Sequence, residues 1–173
     1  MTGRPLPSEA AAYYFTYIDR VPGDDPLSEM DRQLEEAASL FAGISEEASR
    51  FRYQPEKWSL RQLLNHITDS ERAFAFRALW FARGFAAPLP GYDQDIAAAG
   101  AAADDVAWAD HVEEFRQVRP STISLFRNMP AEAWSRTGIA SDNPFTVRAL
   151  AFIIAGHVAH HIAVMRERYL VGC

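Results

Sequence analysis

The chain has 173 residues, of which 49% are apolar and 23% charged, a composition typical of a soluble protein that buries its core in one domain, residues 1–173. Its formal charge of −6 argues against binding to nucleic-acid phosphates, which requires a basic surface. No secretory signal is evident, no stretch reaches the roughly 18 to 20 apolar residues of a membrane span, and the single cysteine, Cys173, excludes an internal disulfide. We therefore expect a cytoplasmic protein that binds neither nucleic acid nor membrane.

Apolar residues at three- and four-residue spacing predict four long helices, at about residues 26–44, 59–84, 104–129 and 146–169. Ser59 and Gln62 form the capping-box pattern at the start of the second helix, and Gly84 fits its end. Asp104 suits the N-terminus of the third helix, and Pro120 inside that helix predicts a kink or a break into two.

A long loop rich in proline and glycine, PLPGYDQD, separates the second and third predicted helices, and an alanine run follows it. No convincing alternating strand pattern is present, and no repeat of 20 to 50 residues occurs. The predicted fold is therefore all-α, a four-helix bundle with a short N-terminal helix and a long loop between helices two and three.

Two histidines near the C-terminus, His157 and His161, are four positions apart and so share one helix face, a turn apart. They fall on or beside the apolar stripe of the fourth helix, whereas His160 points away from it. His66 lies at the edge of the apolar face of the second helix. A lone histidine at such an edge is usually a satisfied core residue, but two buried histidines a turn apart also fit a metal site. The pattern leaves both interpretations open.

Several motifs of other enzyme classes are absent. The residue after His157 is Val158, so the chain has no HExxH motif and a zincin-type protease is disfavoured. There is neither a G-x-S-x-G nucleophile elbow nor a glycine-rich phosphate loop. Serine hydrolase and nucleotide-binding functions are therefore not indicated.

The stretches FRYQPEKWSLRQLLNHITDSERAFAFRALWFARG, PLPGYDQD and VRALAFIIAGHVAHHIAVMRERYL, with YIDRVPGDDP near the start, together resemble the DinB-like (YfiT-like) superfamily over almost the full length. That superfamily consists of four-helix bundles described as metalloenzymes. One histidine from the second helix and two from the last hold a divalent zinc or nickel ion there. The resemblance implies that His66, His157 and His161 are the metal ligands.

The resemblance also implies a function. Characterised members look like thiol-dependent transferases and isomerases that use low-molecular-weight bacterial thiols such as bacillithiol or mycothiol. We therefore expect a metal-dependent S-transferase with a small-molecule substrate. A metal-dependent hydrolase is the alternative, and a non-catalytic, metal-stabilised stress or binding protein is a third. Relatives often dimerise, and the apolar second half of helix two also suggests a homodimer.

Other polar residues are weaker candidates for the site. Asp69, one turn after His66, could be a general base, although a solvated aspartate fits equally well. Asp93, on a loop that could cover the mouth of the bundle, is a second catalytic candidate, although it also fits plain turn chemistry. Arg72 and Arg77 could bind an anionic thiol cofactor, although paired surface charges are the commoner role. Tyr53, Trp58 and Trp80 are better explained by packing than by substrate contact.

Overall fold

The computed structural model describes residues 3–170, so Cys173 lies outside the described part of the chain. It confirms the predicted all-α bundle. The helices are α1 (Phe15–Ile18), α2 (Pro26–Ala42), α3 (Leu60–Ala82), α4 (Gln94–Gly100), α5 (Trp108–Arg127) and α6 (Val147–Val164). The long helices α2, α3, α5 and α6 form the bundle, and the short helix α1 packs against α6.

The start of α3 is held by the predicted capping box. The Ser59 hydroxyl accepts a hydrogen bond of 3.1 Å from the Gln62 amide, and the Gln62 side chain accepts one of 3.1 Å from the Ser59 amide. Gly84 follows the last turn with a positive φ of 81°. These two ends fix the register of the 23-residue helix that carries His66.

Helix α5 differs from its prediction in two respects. It begins at Trp108 rather than Asp104, because the Asp104 carboxylate is used elsewhere and accepts bonds of 2.5 Å from both Ser59 and Arg52. Of the two outcomes predicted at Pro120, a kink or a break into two helices, the break was wrong, since α5 runs through that residue as one helix. Proline removes one backbone donor, and packing against α2 and α3 holds the helix together around it.

A small hairpin, which the sequence did not predict, precedes α6. Strands β1 (Thr137–Ala140) and β2 (Asn143–Thr146) pair antiparallel around a two-residue turn. Both turn residues, Ser141 and Asp142, have positive φ, at 50° and 59°. The strands were missed because each has four residues, and because the turn lacks the glycine that usually marks such a geometry.

The core centres on α6, which is buried along most of its length between the other helices. Together with the π-helical turn Met165–Tyr169, it is long and apolar enough to span a membrane by length and composition alone, so the expectation that no such stretch exists was wrong. Burial explains this composition, because 67% of the apolar stretch lies inside the bundle.

The apolar second half of α3 divides between core and surface. Phe81 is buried, whereas Phe76 is 51% exposed and Trp80 stacks on Phe85 with ring centroids 4.0 Å apart. This leaves some apolar surface on the outside of the bundle. The homodimer itself stays a prediction.

Candidate metal centre

The packing of α3 on α6 brings His66, His157 and His161 together. The Nε2 atom of His157 lies 3.2 Å from that of His66 and 3.0 Å from that of His161. The three side chains each offer a ligand nitrogen, all within 4.8 Å of one another, and His66 and His157 are buried. This is the set of residues that the sequence singled out.

Burial keeps these three histidines uncharged at neutral pH. Burial, with a smaller effect from His160, lowers the pKa of His66 to about 4. Burial also holds the pKa of His157 well below 6.5, and neighbouring histidines add to that effect. The pKa of His161 is lowered in the same way, by burial first and then by His66. Neutral imidazoles are the form that binds a metal.

The donor set fits a divalent ion. The Nε2 atom of a neutral imidazole has either one N–H or one lone pair, so that of His157 cannot satisfy both neighbours, His66 at 3.2 Å and His161 at 3.0 Å. In a tetrahedral site with bonds of roughly 2.0–2.1 Å, ligand nitrogens lie roughly 3.3 Å apart, close to the separations observed. Nδ1 of His161 is buried without a hydrogen-bond partner among residues 3–170. Imidazole nitrogens suit zinc, nickel, copper or iron.

Side chains from three elements surround the histidines. Nδ1 of His66 lies 3.4 Å from the Ser70 hydroxyl. In the tautomer that binds a metal through Nε2, Nδ1 carries the proton and the Ser70 hydroxyl accepts a hydrogen bond from it. The centroid of the Trp58 ring lies 4.8 Å from that of the His66 ring. The Tyr17 ring on α1 lies 5.3 Å from that of His157, and burial raises the pKa of its hydroxyl.

Two cavities open beside the three histidines. The first, here called the tyrosine cavity, has a volume of about 140 Å³ and contacts His66 and His157. Its other lining residues are Tyr13, Tyr14, Tyr17, Ser70, Ala73, Phe74, Arg77, Tyr92, Gln94 and Ser141.

The second, here called the tryptophan cavity, has a volume of about 390 Å³ and contacts His161. Its other lining residues are Tyr53, Glu56, Lys57, Trp58, Leu63, Asp95, His160, Val164 and Tyr169. The candidate metal centre therefore lies between two spaces with different linings.

A family model for the DinB superfamily matches residues 29–165, which include all three histidines. The chain belongs to the DinB superfamily. Among solved structures it is similar to YfiT from Bacillus subtilis, with 17% identity and a TM-score of 0.69 over 94% of this chain and 89% of that one. YfiT is described as a probable metal-dependent hydrolase with an unusual four-helix bundle topology. Comparison with curated proteins gave no match.

The predicted loop of this DinB-superfamily chain contributes residues to both cavities beside the histidines. Tyr92 and Gln94 line the tyrosine cavity, and Asp95 lines the tryptophan cavity. Asp93 lines neither cavity, because its carboxylate caps α4 by accepting bonds of 2.9 and 3.0 Å from the amides of Asp95 and Ile96. A catalytic role for Asp93 stays a prediction, and its observed contacts are those of a helix cap.

The structure separates the remaining predicted residues. Asp69 and Arg72 pair with each other at 3.1 Å, and Arg72 also pairs with Glu114 at 2.8 Å. Neither residue lines the tyrosine cavity or the tryptophan cavity. Their proposed roles in catalysis and cofactor binding stay predictions. Arg77, in contrast, is buried and lines the tyrosine cavity. His160, predicted to point away, lines the tryptophan cavity beside His161 but is not one of the three converging residues.

Sequence reasoning missed several cavity residues and assigned two others to packing alone. Tyr53 and Trp58 line the tryptophan cavity, so they contact the site as well as the core. Tyr13 and Tyr17 were not singled out, although their spacing of four places both on one face, where their hydroxyls are 3.0 Å apart. That spacing was the available signal. No comparable signal pointed to Ser141.

Proposed function

We propose that this DinB-superfamily protein is a metal-dependent enzyme that transfers a low-molecular-weight thiol to a small electrophilic substrate. The observation that carries the proposal is the position of three neutral histidines between two cavities, since a transferase must hold two molecules at once. A hydrolase needs only one such space, because its second substrate is water.

In this proposal His66, His157 and His161 hold one divalent ion, with zinc or nickel favoured. When bound, such an ion supplies positive charge that keeps a thiol as its thiolate, or lowers the pKa of water, near neutral pH. Three histidines leave room for a fourth ligand, which is the arrangement of catalytic rather than structural zinc sites.

The chain's own residues then position the reactants. Ser70 orients the His66 ring, and the rings of Tyr17 and Phe74 screen His157 from solvent, with centroids 5.3 and 6.1 Å away. Trp58 and Tyr53 offer aromatic surfaces in the larger tryptophan cavity, which suits the bulkier reactant.

A metal-dependent hydrolase is the second candidate. It is favoured by the description of YfiT, whose fold this chain shares. The two candidates differ in their second substrate, so one set of assays can separate them.

The test is a conjugation assay with purified, zinc- or nickel-loaded protein, bacillithiol or mycothiol, and a chromogenic aryl halide. In the reaction the thiolate sulfur bonds to the aryl carbon, the halide leaves, and the thiol proton passes to solvent. We expect conjugation above the uncatalysed rate that is lost on chelation and in His157→Ala. Absence of conjugation with every thiol and electrophile, together with metal-dependent cleavage of an ester or amide, would establish the hydrolase instead.

A further inference from the structure

Arg77 is a buried cation without an anionic partner. The residue is 5% exposed, and no carboxylate among residues 3–170 pairs with it. The other two buried arginines of the described chain, Arg61 and Arg119, pair with Glu46 and Glu71. Burying an uncompensated charge costs free energy, and burial accordingly lowers the pKa of Arg77. A bound anion would supply the missing charge.

The Arg77 guanidinium is held in place by neutral groups. It donates a hydrogen bond of 2.9 Å to the Ser141 hydroxyl, and a longer one of 3.4 Å to the Pro90 carbonyl. It also donates to the Tyr14 hydroxyl, whose pKa is raised by burial, so that this partner is neutral. The central carbon of the guanidinium, Cζ, lies 5.6 Å from the centre of the Phe74 ring. A guanidinium has five N–H donors, so these three hydrogen bonds leave two for a ligand, enough for the two oxygens of a carboxylate.

Ser141 reaches Arg77 because of the hairpin turn. Its φ of 50° is in the left-handed region, which is unfavourable for a serine. The turn is held by a bond of 2.6 Å from Asn143 to the Ser141 carbonyl and by a bond of 3.2 Å from the Ser141 amide to the Leu89 carbonyl. Strained residues held in this way are concentrated at binding sites.

The same cavity connects Arg77 with the histidines. His66, Ser70, Ala73 and Arg77 all line the tyrosine cavity from one face of α3. His66 and Arg77 are eleven positions apart in the helix, roughly 16 Å along the axis. Helical side chains tilt towards the N-terminus, so the Arg77 side chain extends back towards His66 and shortens this gap. One small molecule could therefore contact both.

We propose that Arg77 and Ser141 form an anion subsite that binds the carboxylate of a small-molecule reactant whose reacting atom lies at His66, His157 and His161. The proposal rests on the proposed function and names its substrate class. A carboxylate fits better than a phosphate, because the planar guanidinium matches its two oxygens and one positive charge balances it. The carboxylate belongs either to the thiol or to the electrophile.

The test uses protein loaded with Co²⁺, whose visible absorption reports thiolate binding. The probes are ω-mercapto acids with two, three and five methylene groups, each compared with its neutral amide. We expect one chain length at which the acid binds about ten- to a hundredfold more tightly than the amide, as for other charged hydrogen bonds. Arg77→Gln should abolish this difference, and Arg77→Lys should retain part of it.

Arg83→Gln is the matched control, because Arg83 is an exposed arginine at the end of the same helix. Circular dichroism and melting temperatures check that each variant is folded. A second arm measures hexanoate against hexanamide on metal-free protein by calorimetry, where Arg77→Gln should again remove the preference for the acid. This arm does not depend on the metal.

The outcomes separate the two proposals. Equal binding of acid and amide thiols at every length, with no effect of Arg77→Gln in either arm, overturns the anion subsite and leaves the thiol function standing. Failure of every thiol to perturb the Co²⁺ spectrum, with hexanoate still bound through Arg77, overturns the thiol function alone. Hexanoate and a neutral thiol that bind together would assign the carboxylate to the electrophile, whereas mutual exclusion would assign it to the thiol.

Discussion

The backbone of Tyr17 crosses α6 directly over Gly156, so closely that a β-carbon on Gly156 would overlap the Tyr17 carbonyl. This contact seats α1 on α6 and places the Tyr17 ring 5.3 Å from that of His157. The glycine before His157 is thus required by the approach of another segment. Because Gly156 has no side chain, the Tyr17 ring can lie beside His157.

Gly156→Ala should therefore destabilise the protein by displacing α1. We expect a loss of about 1–3 kcal/mol in the free energy of unfolding, as for other overpacked cores. Urea denaturation followed by circular dichroism measures it. Gly100→Ala is the control, because open space surrounds that helical glycine, and it should leave stability unchanged or slightly raised. Equal effects of the two variants would contradict the close contact.

Removing one histidine ligand should remove the metal. We expect protein prepared with zinc or nickel to hold about one ion per chain, and His66→Ala or His157→Ala to lower this by at least tenfold. Elemental analysis after dialysis gives the ratio. His160→Ala keeps the metal if the three converging residues are the ligands, since His160 lies beside them in the tryptophan cavity. Metal loss in His160→Ala alone would show that the ligand set is different.

The ion pair between Glu71 and Arg119 is fully buried, at 2.9 Å and with side chains at most 1% exposed. Either Glu71→Leu or Arg119→Met should cost about 3–5 kcal/mol, because each leaves one buried charge without its partner. The double variant should recover most of that loss. A double-mutant cycle from chemical denaturation measures the coupling energy between Glu71 and Arg119. If the double variant loses the sum of the two single losses, the two side chains are not coupled and the prediction is contradicted.

The Glu9 carboxylate ties the N-terminal segment to the start of α6 by accepting bonds of 2.8 Å from Thr146 and 3.0 Å from Arg148. Burial raises the pKa of Glu9, but these bonds outweigh burial and hold it below 4.5. The folded state thus binds this proton less readily than the unfolded state. The stability that Glu9 contributes is present above pH 4.5 and is lost as the pH falls through its lowered pKa.

Glu9→Gln should accordingly lower the free energy of unfolding by about 1.5–3 kcal/mol at pH 7, and by progressively less below pH 4.5. Urea titrations between pH 3 and 7 give both values. Glu35→Gln removes an exposed carboxylate of α2 and should show a difference near zero throughout. A Glu9→Gln deficit that persists unchanged at the lowest pH would contradict the role of the charge.

The helices and the histidine pair could be predicted because they depend on local periodicity. A spacing of four residues is enough to place His157 and His161 on one helix face, and the Ser59–Gln62 pattern is enough to begin α3. His66 required the family resemblance, since nothing in a single helix shows which residue of another helix will face it.

The cavity linings could not be predicted in the same way. Ser141 reaches Arg77 through a hairpin turn whose four-residue strands carry too little pattern, and 64 positions separate the two residues. Tyr17 reaches His157 only through the close approach that Gly156 permits. Asp93 and Arg72 have the contacts of a helix cap and a surface ion pair, which are the commoner roles of such residues.

The central position of α6 also bears on how the protein is made. Because α6 follows the other bundle helices in the chain, the ribosome produces the centre of the core after the helices that surround it. At ordinary rates of synthesis, roughly ten seconds pass between completion of α3 and completion of α6. During that interval α3 lacks the helix against which it packs most extensively, and His66 lacks the two histidines that lie beside it in the folded protein.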